Sequence, residues 1–238
     1  MSKDRMTETA LHSWDVSATE AREWQCFLSG RVIEKGEPGE IRTIAGCDLA
    51  FDNATNTAIG ALVLLDFPSL KPRLGYVVRM PVPFPYVPGL LSFREGPVIL
   101  ELFRRLERLP DLVFFDGQGR AHPRGLGVAS HLGLWLDLPS IGVAKSILYG
   151  HAENEPGPEK GSQSALVAPD GRHLGQVLRT KNKVKPLYIS VGHKISLEAA
   201  CRLVMACVTR YRLPEPTRLA DRLAARAKQE NRSGHWNF

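Results

Sequence analysis

The 238-residue chain predicts an α/β fold with a mixed central sheet, and three observations point there. Ile41 to Phe51, Thr57 to Phe67 and Arg73 to Met80 are three consecutive β-rich runs, the pattern of adjacent antiparallel strands. After them, helical periodicity alternates with apolar runs too short for helices, Leu112 to Phe115 and Ser140 to Ala144. Hydrophobic residues make up 43% of the chain and charged ones 24%, which suits one domain with a full core over residues 1–238. Three antiparallel strands followed by alternating helices and strands is an α/β order.

Taken in order, Ser17 to Gly30 reads as a helix capped by Ser17 or Thr19, with Trp24, Phe27 and Leu28 as packing material. Asp52-Asn-Ala-Thr-Asn56 turns the first strand into the second. Pro81 to Pro88 is stiffened by prolines into an extended loop that can hold Tyr86 away from the body at low entropic cost. Ser92 and Glu95 match a capping box for a helix over Pro97 to Arg108, with Leu100, Phe103 and Leu106 inward and Arg104, Arg105 and Arg108 outward. Gly125 to Leu136 is a turn and helix. Glu153 to Ser164 is a surface excursion, and a hairpin turns at Pro169-Asp-Gly171. Arg179 to Lys185 holds four basic residues in seven, suited to a nucleic-acid backbone or to a solvated face. Leu187 to Val191 is a further strand, and Ser196 caps a helix over Leu197 to Tyr211. Thr217 caps a last helix, with Asp221 in its opening turn, and Asn231 to Phe238 is expected to fray.

This order is that of the ribonuclease H-like fold, in which the first and fourth strands are neighbours. Two carboxylates stand where such strands place them. Asp48 interrupts the apolar run of the first strand, where an unpaired charge is expensive. Asp116 ends the fourth and is followed by Gly-Gln-Gly, so a ligand can approach the backbone closely. Side by side they repel, and a divalent cation offsets this with matching hard oxygen chemistry; magnesium or manganese is the natural choice. Glu95 and Asp221 would complete an acidic cluster able to activate water against a phosphodiester.

Five segments resemble the endonuclease V family, which acts on deaminated purines: Ala45-Gly-Cys-Asp48, Pro85-Tyr-Val-Pro-Gly-Leu-Leu-Ser-Phe-Arg-Glu-Gly-Pro97, Asp116-Gly-Gln-Gly-Arg-Ala-His-Pro-Arg124, Gly142-Val-Ala-Lys145 and Leu213-Pro-Glu-Pro-Thr-Arg218. The resemblance implies a ribonuclease H-like core and dependence on Mg²⁺ or Mn²⁺. It implies recognition of hypoxanthine and cleavage of the second phosphodiester bond 3′ to it, leaving a 3′-hydroxyl and a 5′-phosphate. By the same resemblance Asp48 and Asp116 are the principal metal ligands, Glu95 completes the cluster, and Asp221 stands where the family has an Asp or His. Pro85, Tyr86, Val87 and Pro88 match its strand-separating wedge, Tyr86 being the tip. Gly89, Leu91 and Gly117 fall in its base pocket, and His122 and Lys145 at the active-site rim.

Two rival functions remain open on these residues: a nuclease directed at inosine in RNA, since a 2′-hydroxyl alters none of the motifs, and a lesion-binding protein that recruits other factors. The expected partner is DNA with deaminated bases, or single-stranded DNA or RNA with inosine, bound by a monomer. A formal charge of +6 favours a polyanion. Cys26, Cys47, Cys201 and Cys207 form no CxxC pair and read as reduced thiols. The charged opening Met1 to Arg5 has no apolar run behind it, and no segment reaches the length of a membrane span, so a cytoplasmic location is expected.

Overall fold

In the computed structural model, which describes residues 10–238, ten strands form one mixed sheet with five helices packed on its two faces. The charged opening of the chain lies outside the described residues. Strands β1 (Thr43–Asp52), β2 (Thr57–Asp66) and β3 (Pro72–Pro81) are antiparallel neighbours, as the three consecutive β-rich runs predict. Next to β1 lies β4 (Leu112–Phe115), in parallel, and beyond it β5 (Ser140–Ala144), also parallel. The sheet continues antiparallel through β9 (Leu187–His193), β8 (His173–Leu178), β7 (Gln163–Val167) and the two-residue β6 (His151–Ala152).

Period-two alternation gives the sheet two buried faces. Ile44, Ile59, Ala61, Val63, Leu112 and Phe114 point one way, against helices α4 (Leu197–Ala206) and α5 (Glu215–Glu230). Ala45, Cys47, Leu62, Val113 and Phe115 point the other way, against α2 (Leu91–Arg104) and α3 (Val128–Leu136). Cys47, Cys201 and Cys207 are buried free thiols, and burial pushes the latter two up to about 12. Among the described residues no helix is long and apolar enough to cross a membrane.

Several boundaries differ from the sequence reading, each for a tertiary reason. Helix α2 begins at Leu91, six residues before Pro97, and ends at Arg104. The burial of Leu90 and Phe93 against Phe84 anchors that earlier turn, so Pro97 sits inside the helix. Ser92 and Glu95 therefore form no capping box; Ser92 bonds His131 instead. Helix α5 begins at Glu215 with Pro216 in its first turn, where a missing N–H is harmless. Thr217 consequently donates to the Pro214 carbonyl rather than capping, and Asp221 falls in the second turn. Helix α4 stops at Ala206. The tail does not fray: β10 (Gly234–Trp236) pairs antiparallel with β3, and Trp236 is buried beneath Arg226 and Arg232. Arg179 is committed to the fold, donating to the carbonyls of Pro156, Gly157 and Val184, which leaves only the lysines of that basic run to face outward.

At the N-terminal side, α1 (Ala18–Ser29) carries a capping box between Ser17 and Glu20. Its buried stripe is Ala21, Gln25 and Leu28, whereas Phe27 is exposed. A glutamine on the buried face of a surface helix requires partners, and these lie at the site described next.

Candidate active site

The parallel register of β1 and β4 sets Cys47 opposite Phe115, so the next residue on each chain, Asp48 and Asp116, is a carboxylate at the same sheet edge. A third comes from α5. That helix crosses β1 so closely that a Cβ on Gly46 would lie 2.0 Å from the Pro216 carbonyl oxygen, and the approach carries Asp221 to the same edge. One carboxylate oxygen from each of Asp48, Asp116 and Asp221 lies within 4.8 Å of the others. An all-oxygen, anionic donor set at this spacing suits a hard divalent cation.

The electrostatics follow from crowding. Burial, then the charges of Asp116 and Asp221, raise Asp48 to about 7. Glu95 faces the cluster from the second turn of α2; burial, then Asp48 and Asp116, raise it to about 8. Lys145, just past β5, places its Nζ 2.5 Å from Asp116 and 3.7 Å from Asp221. Lost hydration favours its neutral amine, but the hydrogen bond and charge of Asp116 outweigh this and hold its pKa above the ordinary lysine value. Acid–base groups pushed apart in this way cluster at reactive sites.

Beside Asp116 opens a cleft of about 340 Å³, within the range of small-ligand pockets. Tyr86, Val87, Pro88, Gly89, Leu91 and Gly117 all line it; Pro85 does not. Tyr86 stands on its lip 72% exposed, while Phe84 two residues earlier is buried and Arg94 holds the Phe84 carbonyl. The proline loop is thus anchored at one residue and projects at the other. His122 lies in the wall, its Nε2 2.9 Å from the Gly89 carbonyl oxygen, and burial lowers it to about 4.

Three lining residues were not assigned to the site from the sequence, although Ser92 and Gln118 stand inside motifs quoted above. Gln25 donates to the carbonyls of Gly89 and Leu126 and accepts from Arg124 Nε, tying α1 to the cleft. Its place between Ala21 and Leu28 on a helical stripe was the available clue. Gln118 donates to the Ser146 carbonyl while its Oε1 is buried without a partner. Ser92 reaches the wall only because α2 starts early, and no local pattern announces that.

A family model described as Endonuclease V matches residues 27–222. The Endonuclease V of Azotobacter vinelandii is 51% identical over 222 residues, covering 93% of this chain and 99% of its own length. A crystal structure of Endonuclease V from Streptomyces avermitilis superposes with a TM-score of 0.87 at 40% identity, covering 92% of this chain and 96% of that one. Another, the Ciona intestinalis Endonuclease V in complex with DNA containing an inosine followed by a ribo-adenosine, has a TM-score of 0.78 at 25% identity and covers 90% and 98%.

Proposed function

Because the chain belongs to the endonuclease V family, we propose that it is a divalent-metal-dependent repair endonuclease that recognises deaminated purines in DNA, chiefly hypoxanthine. In this reading it hydrolyses the second phosphodiester bond 3′ to the lesion, leaving a 3′-hydroxyl and a 5′-phosphate. The observation that carries the proposal is the carboxylate trio of Asp48, Asp116 and Asp221 beside a cleft with an exposed tyrosine on its lip. All of these come from one chain, which suits a monomer.

Asp48, Asp116 and Asp221 would hold the cation, Mg²⁺ or Mn²⁺, which when bound supplies an activated water and charge neutralisation at the phosphodiester. Tyr86 enters the duplex beside the lesion, filling the gap that the flipped base leaves. The cleft takes the base, with Gly89, Leu91 and Gly117 close enough for backbone to read its edge. Glu95, facing Asp48 and Asp116, would be placed to take a proton from the attacking water once the charge of a bound cation offsets the burial and the carboxylates that raise it. Lys145 holds Asp116 in position and offers its ammonium to the scissile phosphate. His122 supports the Gly89 carbonyl from behind.

The inosine–ribo-adenosine complex of the Ciona intestinalis relative supports a second substrate, inosine in RNA, because a 2′-hydroxyl is accommodated there. Both are tested with labelled DNA and RNA of matched sequence carrying one inosine, incubated in Mg²⁺, in Mn²⁺ and in chelator, with any cut mapped to the nucleotide. A metal-dependent nick one nucleotide beyond the lesion's own 3′ phosphodiester is the expected result. Binding without cutting in either metal would overturn the enzymatic reading in favour of a recruitment protein.

A further inference from the structure

A second groove, of about 500 Å³, lies between α5 and the tail, and Asp221 of the carboxylate trio is one of its lining residues. Its helical wall carries Arg222, Leu223 and Arg226, which spacings of three and four set on one face. The tail supplies Trp236 and Phe238 as the other wall. Arg226, Trp236 and Phe238 lie beyond residues 27–222, the span that the family model matches, so the motifs of the family do not account for this groove.

The walls are built by the pairing of β10 with β3. Trp236 stands opposite Gly75, and the missing side chain there lets the tail close down on α5. A Cβ on Gly75 would lie 2.8 Å from Leu223 Cδ2 and 3.0 Å from Phe238 Cε2. Arg226 and Arg232 hold the buried Trp236 ring at 5.0 and 4.6 Å from its centroid, which fixes the wall in place. Phe238, by contrast, is 57% exposed. Arg226 is also paired with Glu230, whereas the exposed Arg222 forms no ion pair among the described residues. An open aromatic face beside an uncommitted guanidinium offers stacking to a base and charge to a phosphate, the two needs of a single strand of nucleic acid.

The sheet order β10-β3-β2-β1-β4-β5 puts the parts in line. The cleft borders the ends of β4 and β5 through Asp116 and Lys145, the trio gathers at β1 and β4, and the groove lies on the β3–β10 side. We propose that this groove takes the unpaired strand on the 3′ side of the cut, with Phe238 stacking on a base and Arg222 meeting a phosphate. The polarity rests on the proposed function: with the lesion in the cleft and the cut on its 3′ side at the trio, the strand that continues past the trio toward Asp221 is the 3′ segment. The presence of a strand in the groove does not rest on that reading.

Affinities are measured in chelator, which stops cutting, for single-stranded DNA carrying one inosine and a short or a long flank on either side. Lengthening the 3′ flank should tighten binding to the wild-type protein by about 10-fold, the scale of one stacked base. In Arg222→Ala/Phe238→Ala that gain should shrink to ~2-fold, while a longer 5′ flank should affect both proteins alike. Both side chains are exposed, and the variant should melt like the wild type. Photocrosslinking to the unaltered protein supplies a second reading: iodouracil in the 3′ flank should attach to the tail peptide that contains Phe238, and iodouracil in the 5′ flank should not. A missing 3′ gain, one that the double variant keeps, or tail crosslinks from the 5′ flank alone overturns the inference. A wild-type protein that binds inosine no better than adenine overturns the proposed function and the polarity with it, and crosslinking to the tail then decides whether the groove holds a strand.

Discussion

Gly46→Ala tests how the site is assembled without touching any of its charges. Gly46 stands on β1 two residues before Asp48, and a Cβ there would lie 2.0 Å from the Pro216 carbonyl oxygen and 2.2 Å from its carbon. Those atoms are backbone in the first turn of α5 and cannot rotate aside as a flexible side chain would. Relieving the contact even to 3.0 Å, the shortest a real Cβ tolerates, means withdrawing the start of α5 by about 1 Å. Asp221 rides on that helix and must leave Asp48 and Asp116 with it. Overpacking of this kind costs about 1–3 kcal/mol, or ~3–10 °C in melting temperature for a chain of this size. A displacement on the order of 1 Å at the reacting groups slows chemistry by ~100-fold. Thermal unfolding in chelator and single-turnover cutting in saturating Mg²⁺ read the two effects. Gly39→Ala, whose Cβ meets nothing within 4 Å, serves as the neutral control. A Gly46→Ala protein that melts and cuts like the control would refute this account of how Asp221 is placed.

Tyr86 is 72% exposed, so Tyr86→Ala should change stability by less than about 0.5 kcal/mol while reducing discrimination between inosine and undamaged duplexes; intact discrimination would return Tyr86 to a surface role. In chelator, stability should fall as pH rises from 6.5 to 8.5. Asp48 and Glu95 have folded values of about 7 and about 8, above their unfolded ones, so the folded chain binds more protons and loses that advantage as pH passes through them. The loss is on the order of 2 kcal/mol, and saturating Mg²⁺ should abolish it; an identical fall with and without the cation would count against the cluster. The buried histidines, whose values burial lowers, work the other way near pH 6.5, because only the unfolded chain protonates them there; the carboxylate contribution is therefore the difference between the chelator and Mg²⁺ profiles. Trp236→Ala should destabilise by about 3 kcal/mol in urea unfolding, since it empties the Arg226–Arg232 sandwich on the edge strand. A loss below about 0.5 kcal/mol would mean that the tail contributes nothing to the sheet.

The sheet was legible because its strands announce themselves: β-rich runs at β1 to β3 with a polar turn between the first two, and short apolar runs at β4 and β5 that no helix could use. The meeting of Asp48 with Asp116 followed from assigning that strand order to the ribonuclease H-like fold, and the β1–β4 register bears it out. Glu95 and Asp221 were nameable, but their local settings were not. A capping-box pattern at Ser92 and a threonine at 217 each offered a helix start that burial of Phe93 and the close approach over Gly46 overrode. The strand Gly234–Trp236 is too short to show alternation, and its signal is only a lone tryptophan in a polar tail. Gln25 and the hydrogen-bonded chain of His12, His131 and Ser92 join residues 39 to 119 positions apart, and such contacts leave no local period to read.

The central claim is that Asp48, Asp116 and Asp221 hold a divalent cation. Titration of Mn²⁺ into the protein without nucleic acid, followed by calorimetry, tests it most directly, beside Asp48→Asn and Asp116→Asn. The account predicts saturable binding to the wild-type protein, released protons at pH 7 as Asp48 gives up its own, and loss of that binding in both variants with the fold intact by circular dichroism. Undiminished Mn²⁺ binding in a folded Asp48→Asn or Asp116→Asn protein would contradict it.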